Sequence, residues 1–275
     1  MQLKSNRATI FTQVKVKRST TFRELLEKRN NMAVVWWILT FVGILVTALL
    51  TQQGRTMLLL IYRKVYAYVL SRIAKSYNKK MSPFKEKLFE DLKTHPASVA
   101  GNLTVLEIGV GAGANFKFYP PGTSVIAVDP NPEFDKYLMK NAEEFGEVKL
   151  QQFVIAPGEN MADVADHSVD AVVCTLVMCS VADQPKVLSE IKRVLKPGGK
   201  FYYMEHVRGT PGTWVYTFQN WVDIVWPYLA DGCTVRSELW NHLDTAGFSQ
   251  VDYQKFNAPL KMALIEPHLM GTATK

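Results

Sequence analysis

The stretch Val105-Leu106-Glu107-Ile108-Gly109-Val110-Gly111-Ala112-Gly113-Ala114 constrains this chain more than any other. The apolar run from Leu103 to Ile108 reads as a buried strand. It breaks into glycines at alternate positions before Asn115 and Phe116, where the pattern predicts the start of a helix. Glycine lets a backbone bend sharply and approach a ligand where a Cβ would collide. Gly109, Gly111 and Gly113 do not follow the dinucleotide spacing, which closes with a G-x-x-G step. A second apolar strand, Ser124 to Val128, ends in Asp129, and a carboxylate at such a tip can accept both hydroxyls of a ribose. The alternative for Asp129 is a turn residue ahead of Pro130. With Glu107 and the glycines beside it, the pattern points to a nucleoside site.

Strands and helices alternate after that point. The pattern predicts strands over Leu103–Ile108, Thr123–Val128, Lys149–Ile155, Ala171–Leu176 and Lys200–Val207, with helices over Pro132–Phe145 and Gln184–Leu195. The second helix carries Val187, Leu188, Ile191, Val194 and Leu195 on one face and is expected to stop at Pro197-Gly198-Gly199. A helix over Ser237–Ala246, a strand over Ser249–Phe256 and a last, antiparallel strand over Met262–Met270 complete the series. Such alternation implies a mostly parallel sheet covered on both faces. Ligands in these sheets bind beyond the carboxyl ends of the strands, where the motifs above all fall.

Glu107-x-Gly109-x-Gly111-x-Gly113, an acid ending the next strand, and Leu195-Lys196-Pro197-Gly198-Gly199 resemble the class I S-adenosyl-L-methionine-dependent methyltransferases. The strings Ala114-Asn115-Phe116-Lys117-Phe118-Tyr119-Pro120-Pro121-Gly122, Val128-Asp129-Pro130-Asn131-Pro132, Gly158-Glu159-Asn160-Met161, Val173-Cys174-Thr175-Leu176-Val177 and Met204-Glu205-His206-Val207 narrow the resemblance. They are similar to the small membrane-anchored methyltransferase-like group that methylates thiols. The likeness runs from about Leu58 to the C-terminus. It implies a doubly wound, Rossmann-like α/β fold with a seven-stranded, mostly parallel sheet. It also implies the cofactor S-adenosyl-L-methionine, held by Glu107, Gly109, Gly111, Gly113, Asn115, Asp129, Pro130, Asn131 and, around the adenine, Gly158, Glu159, Asn160 and Met161.

Cys174 and Thr175 then approach the methionine portion, and the segment around Tyr77-Asn78 lies near the cofactor. Glu159 has the alternative of capping a helix from Asn160. Glu205-His206 is the candidate catalytic pair. A histidine titrating near neutrality can take the proton of a thiol whose ordinary pKa is about 8.5, although a strand-end histidine is also often a hydrogen-bonded structural residue. Methyl transfer is an in-line displacement, so holding the sulfur in line can carry much of the rate without a base. His268 reads as structural.

Charge divides the chain unevenly: residues 1–80 sum to +13 and residues 81–275 to −6. With an apolar segment inside the basic half, this suits an anionic membrane surface better than a nucleic acid, and no nucleic-acid partner is expected. Three parts follow: a basic extension over 1–31, an anchor with a basic interfacial helix over 32–80, and a methyltransferase domain over 81–275. The extension reads as a disordered tail, with an organelle transit peptide as the alternative.

Residues 32–50 (MAVVWWILTFVGILVTALL) are uncharged for nineteen residues, enough for a bilayer core of about 30 Å. Both flanks are basic, so charge does not fix orientation. The cofactor is made in the cytosol and Cys174, Cys179 and Cys233 form no paired framework. The reading is an anchor that dips in and returns, with the domain cytosolic on the endoplasmic reticulum or lipid droplets. None of the three cysteines has metal-ligand spacing, and no metal is expected.

Trp214, Tyr216, Phe218, Trp221, Trp226 and Tyr228 form an aromatic segment that packs a helix on the sheet, walls an acceptor site, or does both. The expected activity is methylation of the sulfur of small lipophilic thiols. The alternatives are a lipid-like acceptor (quinone, sterol or phospholipid) or a non-catalytic membrane or lipid-droplet binding protein.

Overall fold

The computed structural model describes residues 32–47 and 49–275. The basic extension over 1–31, with its transit-peptide alternative, lies outside the described residues. Contacts divide the chain into two units, Met1–Tyr62 and Arg63–Lys275.

The first unit holds helix α1 (Met32–Thr47) and the beginning of α2 (Gln52–Leu88). Every residue of α1 is exposed, Trp37 to 76 %. Among the described residues no single helix is long and apolar enough to cross a membrane. The bent pair of α1 and α2 passes that test only together.

In the second unit, α2 continues unbroken to Leu88. The sequence pattern suggests two helices, Met57–Leu70 and Tyr77–Leu92, but the chain forms one, with Pro83 inside it. Its buried residues Asn78, Met81, Lys85 and Leu88 recur at three- and four-residue steps, the spacing of one helical face. Two short helices follow, α3 (Glu90–Lys93) and α4 (Pro96–Val99), the latter capped by the His95 side chain, which accepts from Ala97 N–H.

A seven-stranded sheet then forms in the order β3-β2-β1-β4-β5-β7-β6. Its strands are β1 (Thr104–Ile108), β2 (Ser124–Val128), β3 (Lys149–Val154), β4 (Val169–Thr175), β5 (Leu195–His206), β6 (Gln250–Asn257) and β7 (Pro267–Thr274). The first five are parallel, and β7 runs antiparallel to both its neighbours. Side chains alternate between the faces, as strand geometry demands. Leu106, Ile108, Val172, Cys174, Phe201 and Tyr203 join one core under α6 (Gln184–Val194) and α9 (Leu239–Thr245). Val105, Val173, Tyr202 and Met204 join the other, with Leu138 of α5 (Asp135–Glu144) and Met81 of α2.

Three local expectations change. Asn115 and Phe116 open only a single 3-10 turn, Phe116–Phe118, because the chain leaves the loop through Tyr119-Pro120-Pro121. Helix α6 stops at Val194, where Leu195 turns extended (ψ 135°). Pro197-Gly198-Gly199 then lie inside β5, where the pairing with β4 shifts register. The last strand begins at Pro267 instead of Met262, after a 3-10 turn over Ala263–Ile265.

Candidate active site

The site collects at the carboxyl ends of β1, β2, β4 and β5. Gly109, Gly111 and Gly113 have φ of +61°, +52° and +75°, so all three need the left-handed region that other residues avoid. A Cβ at Gly109 would collide with Val177 Cγ2. At Gly111 it would meet nothing nearer than 3.8 Å, which leaves that backbone open to a ligand.

Asp129 closes the loop from the far side. Its Oδ2 accepts Gly111 N–H at 3.0 Å and its Oδ1 accepts Asn131 N–H at 2.9 Å, leaving each oxygen a further lone pair. Burial pushes its carboxyl up to about 6 against those two bonds. Pro130 beside it is exposed, whereas Asn131 is buried, accepts Glu133 N–H and donates to the Arg63 carbonyl of α2.

Glu107 is buried below the loop. It accepts Asn115 Nδ2 at 2.9 Å and the Tyr119 hydroxyl at 2.6 Å, and desolvation raises it to about 7. Asn115 is a junction: its amide also donates to Thr175 Oγ1, and its Oδ1 accepts Lys85 Nζ at 2.6 Å. Lys85 and Asn78 thus carry α2 across the site, Asn78 donating to the Ala114 carbonyl. Desolvation lowers the Lys85 ammonium to about 8. Tyr77, one residue along, bonds His268 Nε2 at 3.1 Å, and burial holds His268 down at about 4, which fits its structural reading.

The candidate adenine segment divides. Gly158 is buried against Ile108, Met161 is fully buried in the core, and its N–H donates to Glu190. Glu159 caps no helix at Asn160. Its Oε1 instead accepts Ala182 and Asp183 N–H and so ties this loop to the one after β4. Asn160 is exposed.

Glu205 and His206 end β5 and are both buried. Leu176, at φ +60°, turns the chain so that Val177 N–H reaches Glu205 Oε1 at 3.0 Å, and Cys174 Sγ approaches the same oxygen at 3.6 Å. Such strained backbone is commonly held at functional sites. Among the described residues Glu205 Oε2 has no hydrogen-bond partner, and desolvation raises the carboxyl to about 7. His206 Nε2 lies 3.0 Å from Cys233 Sγ, and Nδ1 is unpaired.

Lys85, Tyr119, Cys179 and Cys233 went unmarked in the sequence as site residues. Lys85 alone carried a signal, since it shares a helical face with Asn78 and Met81. The aromatic segment forms α7 (Trp214–Val222) and α8 (Trp226–Leu229), but most of its rings do not pack on the sheet. Trp214, Phe218, Trp221 and Tyr228 are exposed, the last to 83 %, while Trp226 Nε1 donates to Cys233 Sγ at 3.3 Å. Two open surface grooves, one along Ser82, Glu86 and Pro120 and one along Leu88, Tyr253 and Met270, touch neither Asp129 nor Glu205.

Residues 106–203 match a methyltransferase domain family. Over 215 residues the chain is 47 % identical to the human thiol S-methyltransferase TMT1A, covering 78 % of this chain and 88 % of that one. It is 41 % identical to human TMT1B over 213 residues, covering 78 % and 87 %. Among solved structures, the [4+2]-cyclase SpnF superposes with a TM-score of 0.51 at 17 % identity over 69 % of this chain and 80 % of that one, a likeness of fold.

The cofactor of such a domain, S-adenosyl-L-methionine, carries a sulfonium and an ammonium. The site suits those charges: Glu107, Asp129 and Glu205 are three buried carboxyls against one buried lysine, and one oxygen of Glu205 is unpaired. A cation there offsets the cost of burying their charge. With this site on this sheet, and identity to human relatives that spans nearly their whole length, the chain belongs to the thiol S-methyltransferase family of S-adenosyl-L-methionine-dependent methyltransferases.

Proposed function

We propose that this enzyme transfers the methyl group of S-adenosyl-L-methionine to the sulfur of small lipophilic thiols at a membrane surface. The observation that carries the acceptor class is the 47 % identity to a thiol S-methyltransferase, combined with a strand-end site built from buried acids and thiols. When bound, the cofactor supplies an electrophilic methyl carbon. Gly109, Gly111 and Gly113 shape its cradle, Asp129 accepts from the ribose, and Glu107 with Glu205 faces its positive end.

A thiol needs little help to ionise, and positioning does most of the work. His206 Nε2 faces Cys233 at 3.0 Å, so its part is to shape the acceptor side of the crevice, with Glu205 fixing the loop after β4 through Val177.

The three-part organisation and the membrane location belong to the same proposal. Support comes from the +13 charge of residues 1–80 and from Trp36, Trp37, Phe41, Leu59, Leu60 and Val65, all exposed. A cytosolic face of the endoplasmic reticulum or of lipid droplets suits a cofactor made in the cytosol. Methyl transfer to an alkyl thiol panel, with quinols and phospholipids as competing acceptors, tests the acceptor class; product on the lipid acceptors alone overturns it.

A further inference from the structure

Cys179, His206 and Cys233 are separated by 27 residues at each step, yet their donor atoms converge. Cys179 Sγ, a ring nitrogen of His206 and Cys233 Sγ all lie within 4.8 Å of one another, and all three residues are buried. Cys179 sits in the turn after β4, His206 ends β5, and Cys233 follows α8. Thr234 N–H donates to the Cys179 carbonyl at 2.8 Å, which pins the two cysteine loops together. Trp226 Nε1 donates to Cys233 Sγ at 3.3 Å, the kind of outer contact that steadies a metal-bound thiolate.

We infer that Cys179, His206 and Cys233 bind one zinc ion through two thiolates and an imidazole, and that its fourth position receives the sulfur of the acceptor. Tetrahedral zinc with bonds of about 2.3 Å to sulfur and about 2.0 Å to nitrogen spaces its donors about 3.5–3.8 Å apart. The three donor atoms, all within 4.8 Å of one another, are drawn to that spacing by local movement, in which the 3.0 Å His206–Cys233 contact opens. Soft thiolates with imidazole select zinc over magnesium or calcium, and a set of three protein ligands leaves a catalytic position open.

The position is right for an acceptor. His206 adjoins Glu205, which Cys174 and Val177 join to the end of β4. Tyr77 connects the same region to the glycine loop, bonding His268 while its neighbour Asn78 holds Ala114. His268 is paired with His206 across β5 and β7.

On binding, the acceptor's S–H bond breaks, its proton passes to water and its sulfur becomes a zinc thiolate. A lone pair on that sulfur then forms the new S–CH3 bond as the methyl–sulfonium bond breaks, its electrons leaving on S-adenosylhomocysteine. The thioether, a poorer ligand than the thiolate, is released. This assignment rests on the thiol reading above.

The test uses detergent-solubilised full-length protein produced with zinc in the medium. Metal analysis is expected to find about one zinc per chain, falling at least tenfold in Cys179→Ser, Cys233→Ser and His206→Gln, whereas Cys174→Ser keeps its zinc. In wild-type protein reloaded with cobalt(II), an alkyl thiol added without cofactor is expected to intensify the sulfur-to-cobalt charge-transfer band. Absence of zinc in wild-type protein, a Cys179–Cys233 disulfide in its place, an unchanged cobalt spectrum, or undiminished thiol methylation by metal-free protein overturns the proposal. In that last case the thiol reading stands alone. Zinc and the spectral change without thiol methylation overturn the thiol reading and leave the site.

Discussion

Lys85 Nζ donates to Asn115 Oδ1 at 2.6 Å, joining helix α2 to the glycine loop from a position 2 % exposed. The same ammonium bonds Asn78 Oδ1 at 2.7 Å, and its charge favours the ionised form of Glu107. Lys85→Met leaves two amide oxygens unpaired and Glu107 uncompensated. Unfolding by urea should show a loss of about 3 kcal/mol, the scale for breaking a buried charged network. A midpoint unchanged from wild type contradicts the bridging role.

Gly109→Ala should be far more damaging than Gly198→Ala. Both positions have positive φ, but only at Gly109 does a Cβ strike a neighbour, Val177. Conformational strain alone costs about 1 kcal/mol, and collision in a packed core adds about 1–3 kcal/mol. Equal losses in thermal unfolding refute the close approach.

Cofactor affinity should rise with pH. Glu107, Asp129 and Glu205 are raised by burial to about 7, 6 and 7, so the folded chain holds protons that the unfolded chain would release. Their contribution to the stability of the free protein is therefore full below the ordinary carboxyl range and is lost as pH climbs through about 6 to 7. A cationic ligand reverses the preference by favouring the ionised acids. Calorimetry in two buffers of different ionisation enthalpy should detect proton release near pH 6.5 and a lower Kd at pH 8 than at pH 6. Binding without proton release contradicts the carboxyl assignment.

Removing residues 1–62 should free the protein from membranes while retaining the packed part of α2, which begins to be buried at Ala67 and holds Asn78 and Lys85. Cutting at residue 80 instead should also destabilise the domain, because Tyr77 and Asn78 go with it. Flotation with liposomes and thermal unfolding separate the two effects. Continued membrane association of the shorter chain places the anchor elsewhere, with the exposed rings of α7 and α8 the next surface to vary.

Much of this was legible in the chain because strand periodicity and glycine punctuation are local. The five parallel strands fall within two residues of their expected starts except β5, whose early start uses a Pro-Gly-Gly run that reads as a helix stop. Glu107, the glycines and Asp129 announce themselves by their place at strand ends. Lys85 and the convergence of Cys179, His206 and Cys233 do not, since nothing in a spacing of 27 residues betrays a contact that only the assembled sheet and the α8 loop create. The helix break expected between residues 70 and 77 fails for a related reason. Packing on the domain overrides a local pattern of mixed apolar and basic residues.

The measurement that bears most directly on the central claim is methyl transfer from labelled S-adenosyl-L-methionine to alkyl thiols by full-length protein, with Asp129→Ala alongside. On the proposed role of Asp129, loss of its carboxylate removes hydrogen bonds to the cofactor ribose worth about 1.5–3 kcal/mol, so cofactor Kd should rise at least about tenfold. The account predicts methylated thiol from the wild type and a product that vanishes in the variant at low cofactor concentration. Cofactor binding with no thiol product, or thiol product undiminished in Asp129→Ala, contradicts it.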